Sequence, residues 1–185
     1  GDTVVVHAAA GGVGLIMVQW LNAIGAKVIG TVSTPAKAEL AREAGADEIV
    51  LYSEEDVGPR VRQLTAREGV PVVFDGVGRA TFEASLDCLA PRGLLVSFGN
   101  ASGAVDGVNL GILAQKGSLF VTRPTLFHYY TTPEERASGM ARVWDMIESG
   151  KITIKVGQSY ALKDAAKAHS DLEARATTGS TVLIP

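Results

Sequence analysis

The chain has 185 residues, a net charge of −3 and a pI near 5.6, with 46% hydrophobic and 20% charged residues. That suits one domain with a sizeable core, or one domain plus a small appendage, and it excludes the basic surface that nucleic acid or an anionic membrane demands. The apolar runs are too short to span a bilayer, and one cysteine, Cys88, excludes an internal disulfide or a multi-cysteine zinc site within these residues.

In chain order, Thr3–Ala8 reads as a strand and Gly12–Ile24 as a helix closed by Gly25. Lys27–Val32 is a second strand, and Pro35–Ala44 a helix with Gly45 just past its end. Glu48–Tyr52 is a third strand, followed by a polar helix near Glu54–Arg67. Val70–Asp75 is a fourth strand, Ala80–Ala90 a helix and Leu94–Phe98 a fifth strand. A Gly-rich loop and a short helix near Asn109–Gln115 lead to a sixth strand, Ser118–Arg123.

These strands are short, rich in Val and Ile, and apolar on both faces, as in a parallel sheet covered by helices on both sides. Strand–helix alternation with short, Gly-closed connections predicts a doubly wound α/β fold.

The tail breaks that rhythm. Pro133–Ser149 spaces Met140, Val143, Trp144 and Ile147 as one apolar face of a helix. Ile152–Leu162 alternates loosely, Asp164–Arg175 reads as a helix, and Thr181–Ile184 as a last strand. The expected division is a core over residues 1–124. Residues 125–185 would supply a helix completing that core and a C-terminal remnant belonging to another structural unit.

In an open parallel sheet, ligands bind outside the carboxyl ends of the strands. The first such end reads Ala9-Ala10-Gly11-Gly12-Val13-Gly14. A dinucleotide fingerprint, G-x-G-x-x-G, uses its second glycine for backbone approach to a pyrophosphate and its third for close helix–strand packing. Gly11 and Gly14 fill those places; Ala9 replaces the first glycine and fits if its φ is negative. The N–H groups near Gly12 and Val13 would then face phosphate oxygens. The alternative is a bare strand–helix turn, but placement after the first strand and before a helix favours the cradle.

The second strand end selects the cofactor. NAD enzymes place Asp or Glu about 20 residues after the glycines. Here "TVSTPAK" offers Ser33 and Thr34, with no carboxylate until Glu39. Thr34 and Pro35 read as N-cap and first helical residue. Lys37 then falls in the first turn, where the helix dipole disfavours a cation. A solvated surface tolerates such a lysine; the 2′-phosphate of NADP explains it better.

Tyr52, after the third strand, could cover an adenine face or be an ordinary strand-end tyrosine. Asp75-Gly76 could be only a turn, and Gly99 in "SFGN" could admit a nicotinamide ring. His7, His128 and His169 have no metal spacing, so structural or surface roles are expected. Cys88 reads as core. No Tyr-x-x-x-Lys pair, P-loop lysine or acidic residue after the second strand supports a short-chain dehydrogenase, P-loop or methyltransferase reading.

"HAAAGGVGLI", "VSFGNASGAVDGVNLG", "KGSLFVTRPTL" and "ATTGSTVLIP" resemble the quinone oxidoreductase (zeta-crystallin-like) branch of the medium-chain dehydrogenase/reductase superfamily, over essentially the whole chain. The resemblance implies a Rossmann-type core that binds NADPH and reduces a quinone, or a related activated carbonyl or alkene, without zinc. It implies that Gly12, Val13 and Gly14 meet the pyrophosphate. Ser33 and Lys37 hold the 2′-phosphate, and Tyr52 lies beside the adenosine. Gly76 approaches the ribose side, where relatives often carry serine. Phe98, Gly99 and Asn100 line the nicotinamide, and Arg175 matches a family arginine near the cofactor.

The resemblance further implies an N-terminal GroES-like catalytic domain before Gly1, toward which the tail returns, and a homodimer paired through strand 118–123. The expected compartment is the cytoplasm. No residue is singled out as a catalytic acid or base. A non-catalytic NADPH-binding module and a zinc-independent enoyl or alkenal reductase remain as alternatives.

Overall fold

The computed structural model describes residues 1–185. Its main sheet has six parallel strands: β1 (Thr3–Val6), β2 (Lys27–Val32), β3 (Glu48–Leu51), β4 (Val70–Asp75), β5 (Leu89–Ser97) and β6 (Phe120–Thr122). Their order is β3-β2-β1-β4-β5-β6. The order reverses between β1 and β4, and the crevice outside their carboxyl ends is where such a sheet receives a ligand. This is the doubly wound, Rossmann-type α/β fold that the alternation predicts.

The central strands feed two cores. Val4 and Val6 of β1 pack with Val18 of α1 (Gly12–Ala23) and with Ala38 and Ala41 of α2 (Pro35–Glu43). Val5 points the other way. It joins Val61 of α3 (Val57–Leu64) and Leu86 of α4 (Phe82–Cys88). Successive strand side chains alternate faces, so a strand covered on both sides must be apolar throughout. Burial of each such Val or Leu contributes about 1.5–3 kcal/mol.

Three elements differ from expectation. β5 begins at Leu89, straight from the end of α4, rather than at Leu94. Pro91 biases the residue before it towards extended backbone. Arg62 also donates to the Asp87 and Leu89 carbonyls (2.9 and 2.6 Å), pinning the chain as it leaves the helix. After α5 (Gly111–Gln115) and β6, a short helix, α6 (Leu126–Tyr129), precedes α7 (Pro133–Glu148). α7 forms with a Thr132/Glu135 capping box and Pro at its start. On its apolar face Met140 and Trp144 are 52% and 54% exposed.

The tail also has a βα rhythm of its own. β7 (Val156–Ala161) and β8 (Ser180–Ile184) pair in parallel as a separate two-stranded sheet, with α8 (Ala165–Glu173) between them. No helix is long and apolar enough to cross a membrane.

Candidate functional site

The glycine turn forms where β1 hands over to α1. Its left-handed residue is Ala8 (φ 52°), one position earlier than the fingerprint's first glycine. Ala9 avoids positive φ, so alanine is no defect there. Its methyl is fully buried, and a Cβ on Gly30 of β2 would come 2.9 Å from it. Gly14 is the steric requirement. A Cβ there would lie 2.2 Å from the Ala8 oxygen and 2.8 Å from the Ala9 carbonyl carbon. The helix therefore packs directly on the turn.

Gly11 is the N-cap of α1 and offers no capping side chain. The first main-chain bond of the helix, Leu15 N–H to Gly11 O (2.9 Å), leaves the Val13 and Gly14 N–H groups without an acceptor in the chain. Val13 is 60% exposed. Free N–H groups at the positive end of a 12-residue helix suit a phosphate. Gly12 lies against the tail, where a Cβ would come 3.2 Å from the Gly179 oxygen.

Beside this turn a cavity of about 460 Å³ opens at the strand ends. Gly11, Ser33, Lys37, Tyr52 and Arg175 all line it, together with Thr177 and Leu172 from the tail. Thr34 caps α2 as expected, accepting from Lys37 N–H (3.3 Å). The Lys37 ammonium donates to the Arg175 carbonyl (2.6 Å). Tyr52 follows the last residue of β3 and is 40% exposed.

The remaining expected residues form a second group at the ends of β4 and β5. The Phe98 ring covers Gly76, where a Cβ would come within 2.8 Å of it. A Cβ on Gly99 would meet the Gly76 oxygen at 2.3 Å. Phe98 N–H donates to Asp75 O (2.8 Å), and the Asn100 amide sits between Gly99 O (2.9 Å) and the Arg123 guanidinium (3.2 Å). Gly76 thus serves packing, and no side chain there could bond a ligand.

A buried polar network beneath the cavity was not legible from spacing. His7 meets Thr31 Oγ1 through Nδ1 (2.9 Å) and Ser85 Oγ through Nε2 (3.0 Å). Ser85 and Thr81 donate to Asp75 Oδ2 (both 2.8 Å). Asp75 Oδ1 accepts from Val77 and Gly78 N–H (2.7 and 3.0 Å), making the turn after β4. Ser85 has one proton, which goes to Asp75. His7 therefore carries its proton on Nε2 and accepts at Nδ1. Burial holds the His7 pKa below its ordinary value, against the charge of Asp75. His7, Thr31 and Thr81 reach the cavity wall, but the network's sequence positions are scattered, and no pattern announces them.

Cys88 is fully buried, as expected of core, and burial pushes its thiol up to about 12. No group of three or more His, Cys, Asp or Glu is arranged to share a metal ion.

The family model for zinc-binding dehydrogenases matches residues 12–143. The chain belongs to that family. It is 59% identical over 185 residues to the quinone oxidoreductase of Pseudomonas aeruginosa, covering all of this chain and 57% of that protein. The solved structure of Escherichia coli quinone oxidoreductase complexed with NADPH superposes with a TM-score of 0.96 at 56% identity, over all of this chain and 57% of that one. A 2-haloacrylate reductase from Burkholderia is 45% identical, over all of this chain and 56% of its own length. The chain thus spans somewhat more than half the length of these relatives.

Proposed function

We propose that this chain is the nucleotide-binding portion of an NADPH-dependent quinone oxidoreductase. The observation that carries the reading is the convergence of Gly11, Ser33, Lys37, Tyr52 and Arg175 on one cavity at the carboxyl ends of the strands. They come from the first three strand ends and, 138 residues after Lys37, from the tail. Two cations and a hydroxyl suit the 2′-phosphate; the cavity's carboxylates, Glu55 and Asp56, follow β3 and not β2, the strand end where an NAD enzyme carries one. The relative solved with NADPH supports that choice.

The unpaired N–H groups of Val13 and Gly14, with Gly12 at the start of the same helix, would hold the pyrophosphate. Tyr52 would lie on the adenosine. Gly76 would approach the ribose side, and Phe98, Gly99 and Asn100 would line the nicotinamide. NADPH supplies the hydride; the chain supplies position, which is what a readily reduced acceptor needs. Residues 1–124 are the cofactor core in this reading, and 125–185 return toward a catalytic domain. The single buried thiol fits a cytoplasmic setting.

The test is cofactor binding by fluorescence titration. The chain should prefer NADPH over NADH, and Lys37→Ala should weaken NADPH by about 10- to 150-fold, the worth of one charge-assisted bond, with little loss for NADH. Equal losses would remove the 2′-phosphate role.

One alternative has its own observation: the likeness to a 2-haloacrylate reductase admits an activated alkene as acceptor. Comparing a simple quinone with an activated alkene as acceptor, with NADPH, on this chain and on one extended before Gly1, separates the two.

A further inference from the structure

Residues 175–179 run from the end of α8 to β8, and both ends of this segment are tied to the cleft. At one end Gly179 N–H donates to Ala10 O (3.1 Å), and Gly179 pairs with Gly11 of the glycine turn. At the other end stands Arg175, whose φ is 57°. It closes α8 in a Schellman arrangement: Arg175 N–H reaches Leu172 O (3.0 Å), and Ala176 N–H reaches Asp171 O (3.0 Å). Glycine is the usual occupant of that left-handed position, and any residue with a Cβ pays a conformational cost there. The reversal leaves the Arg175 carbonyl on α2, where it accepts from the Lys37 ammonium.

Lys37 needs such a partner. It sits in the first turn of α2, which has no acidic residue, and no carboxylate lies within salt-bridge distance of its ammonium. A carboxylate would hold the ammonium but cancel its charge. A neutral carbonyl holds it and leaves the charge and two N–H donors for an incoming phosphate. It also fixes a long, flexible side chain before the ligand arrives, so less freedom is lost on binding.

We propose that the Arg175 main-chain carbonyl is a positioning group for Lys37, so that selection of a 2′-phosphate depends on the left-handed cap of α8 as well as on the two cationic side chains. This rests on the NADPH reading above. The segment "EARATTG" then contributes through its backbone conformation, independently of the guanidinium.

Arg175→Gly and Arg175→Val separate the two contributions. Both remove the guanidinium. Glycine keeps the left-handed cap, whereas valine disfavours it. Dissociation constants for NADPH and NADH are measured on the full chain, with and without Lys37→Ala. The preference for NADPH should be roughly tenfold lower in the Val variant than in the Gly variant. Lys37→Ala should cost roughly tenfold in the Gly background and less than about twofold in the Val background, the mark of coupled groups. Should the Val variant fail to fold by circular dichroism, Arg175→Ala, which strains the cap less, is compared with Arg175→Gly in the same way. Equal preferences in the Gly and Val (or Ala) variants, on a wild type that does select NADPH, overturn the positioning role alone. A wild type that binds both cofactors equally overturns the cofactor reading, and this proposal with it.

Discussion

At the scale of single residues, the glycine turn shows how a degenerate motif can be complete. The fingerprint assigns three glycines, but the backbone spends its left-handed conformation at Ala8 and its closest packing at Gly14. Ala9 needs neither, and its methyl fills space against Gly30. Gly14→Ala would drive a Cβ into the Ala8 oxygen and the Ala9 backbone, which cannot swing aside as a side chain could. The expected cost is about 1–3 kcal/mol, read as a lowered midpoint in urea unfolding. Unchanged stability would mean that α1 shifts freely against β1. Ser33, Lys37 and Tyr52 were legible because each sits at a fixed offset after a strand. Arg175 was not legible from local pattern, since a helix-end arginine is ordinary; it came from the family resemblance. Thr177, which also lines the cavity, had no signal at all.

At the scale of elements, the buried network ties together the ends of β1, β2 and β4 and the flank of α4 through His7, Thr31, Asp75 and Ser85. Its neutrality at His7 makes stability depend on pH. The folded pKa lies below the unfolded value of 6.5. Below pH 6.5 the unfolded chain therefore binds the extra proton first, and stability falls with pH towards the folded pKa; above 6.5 the contribution is fully present. Urea unfolding between pH 8 and 5 should show that decline, and His7→Gln, which stays neutral, should flatten it. Parallel slopes for the two proteins would assign the decline to other groups. Alternation and periodicity placed every main strand, because a doubly covered strand must be apolar throughout. They missed the early start of β5, because the pull of Arg62 on the Leu89 carbonyl joins residues 27 apart in sequence. Likewise they gave α7 an apolar face but not its exposure, which depends on what packs against it.

At the scale of the whole molecule, the sheet ends in two unpaired strands, β3 and β6, and the apolar side chains of β6 are the more exposed. β6 pairs with β5 on one side only, and Phe120 and Val121 are 60% and 41% exposed. A short, apolar edge of this kind is a template for another strand unless something covers or charges it. β6 carries neither a charged residue nor a proline. A two-fold partner would set the same strand against itself, so a residue near the axis meets its own copy. Val121→Lys therefore places like charges face to face across the pairing, where they destabilise it, while a lone protomer simply solvates the new lysine. The wild-type chain should sediment as a dimer at tens of micromolar, and the Val121→Lys chain as a monomer. NADPH affinity should be equal in both, because β6 lines neither the cavity nor the glycine turn. A monomeric wild type would remove the edge-strand dimer from the reading. A dimer indifferent to Val121→Lys would move the interface to another face, for which Phe127 of α6 and Trp144 of α7, 83% and 54% exposed, are the next apolar side chains to substitute.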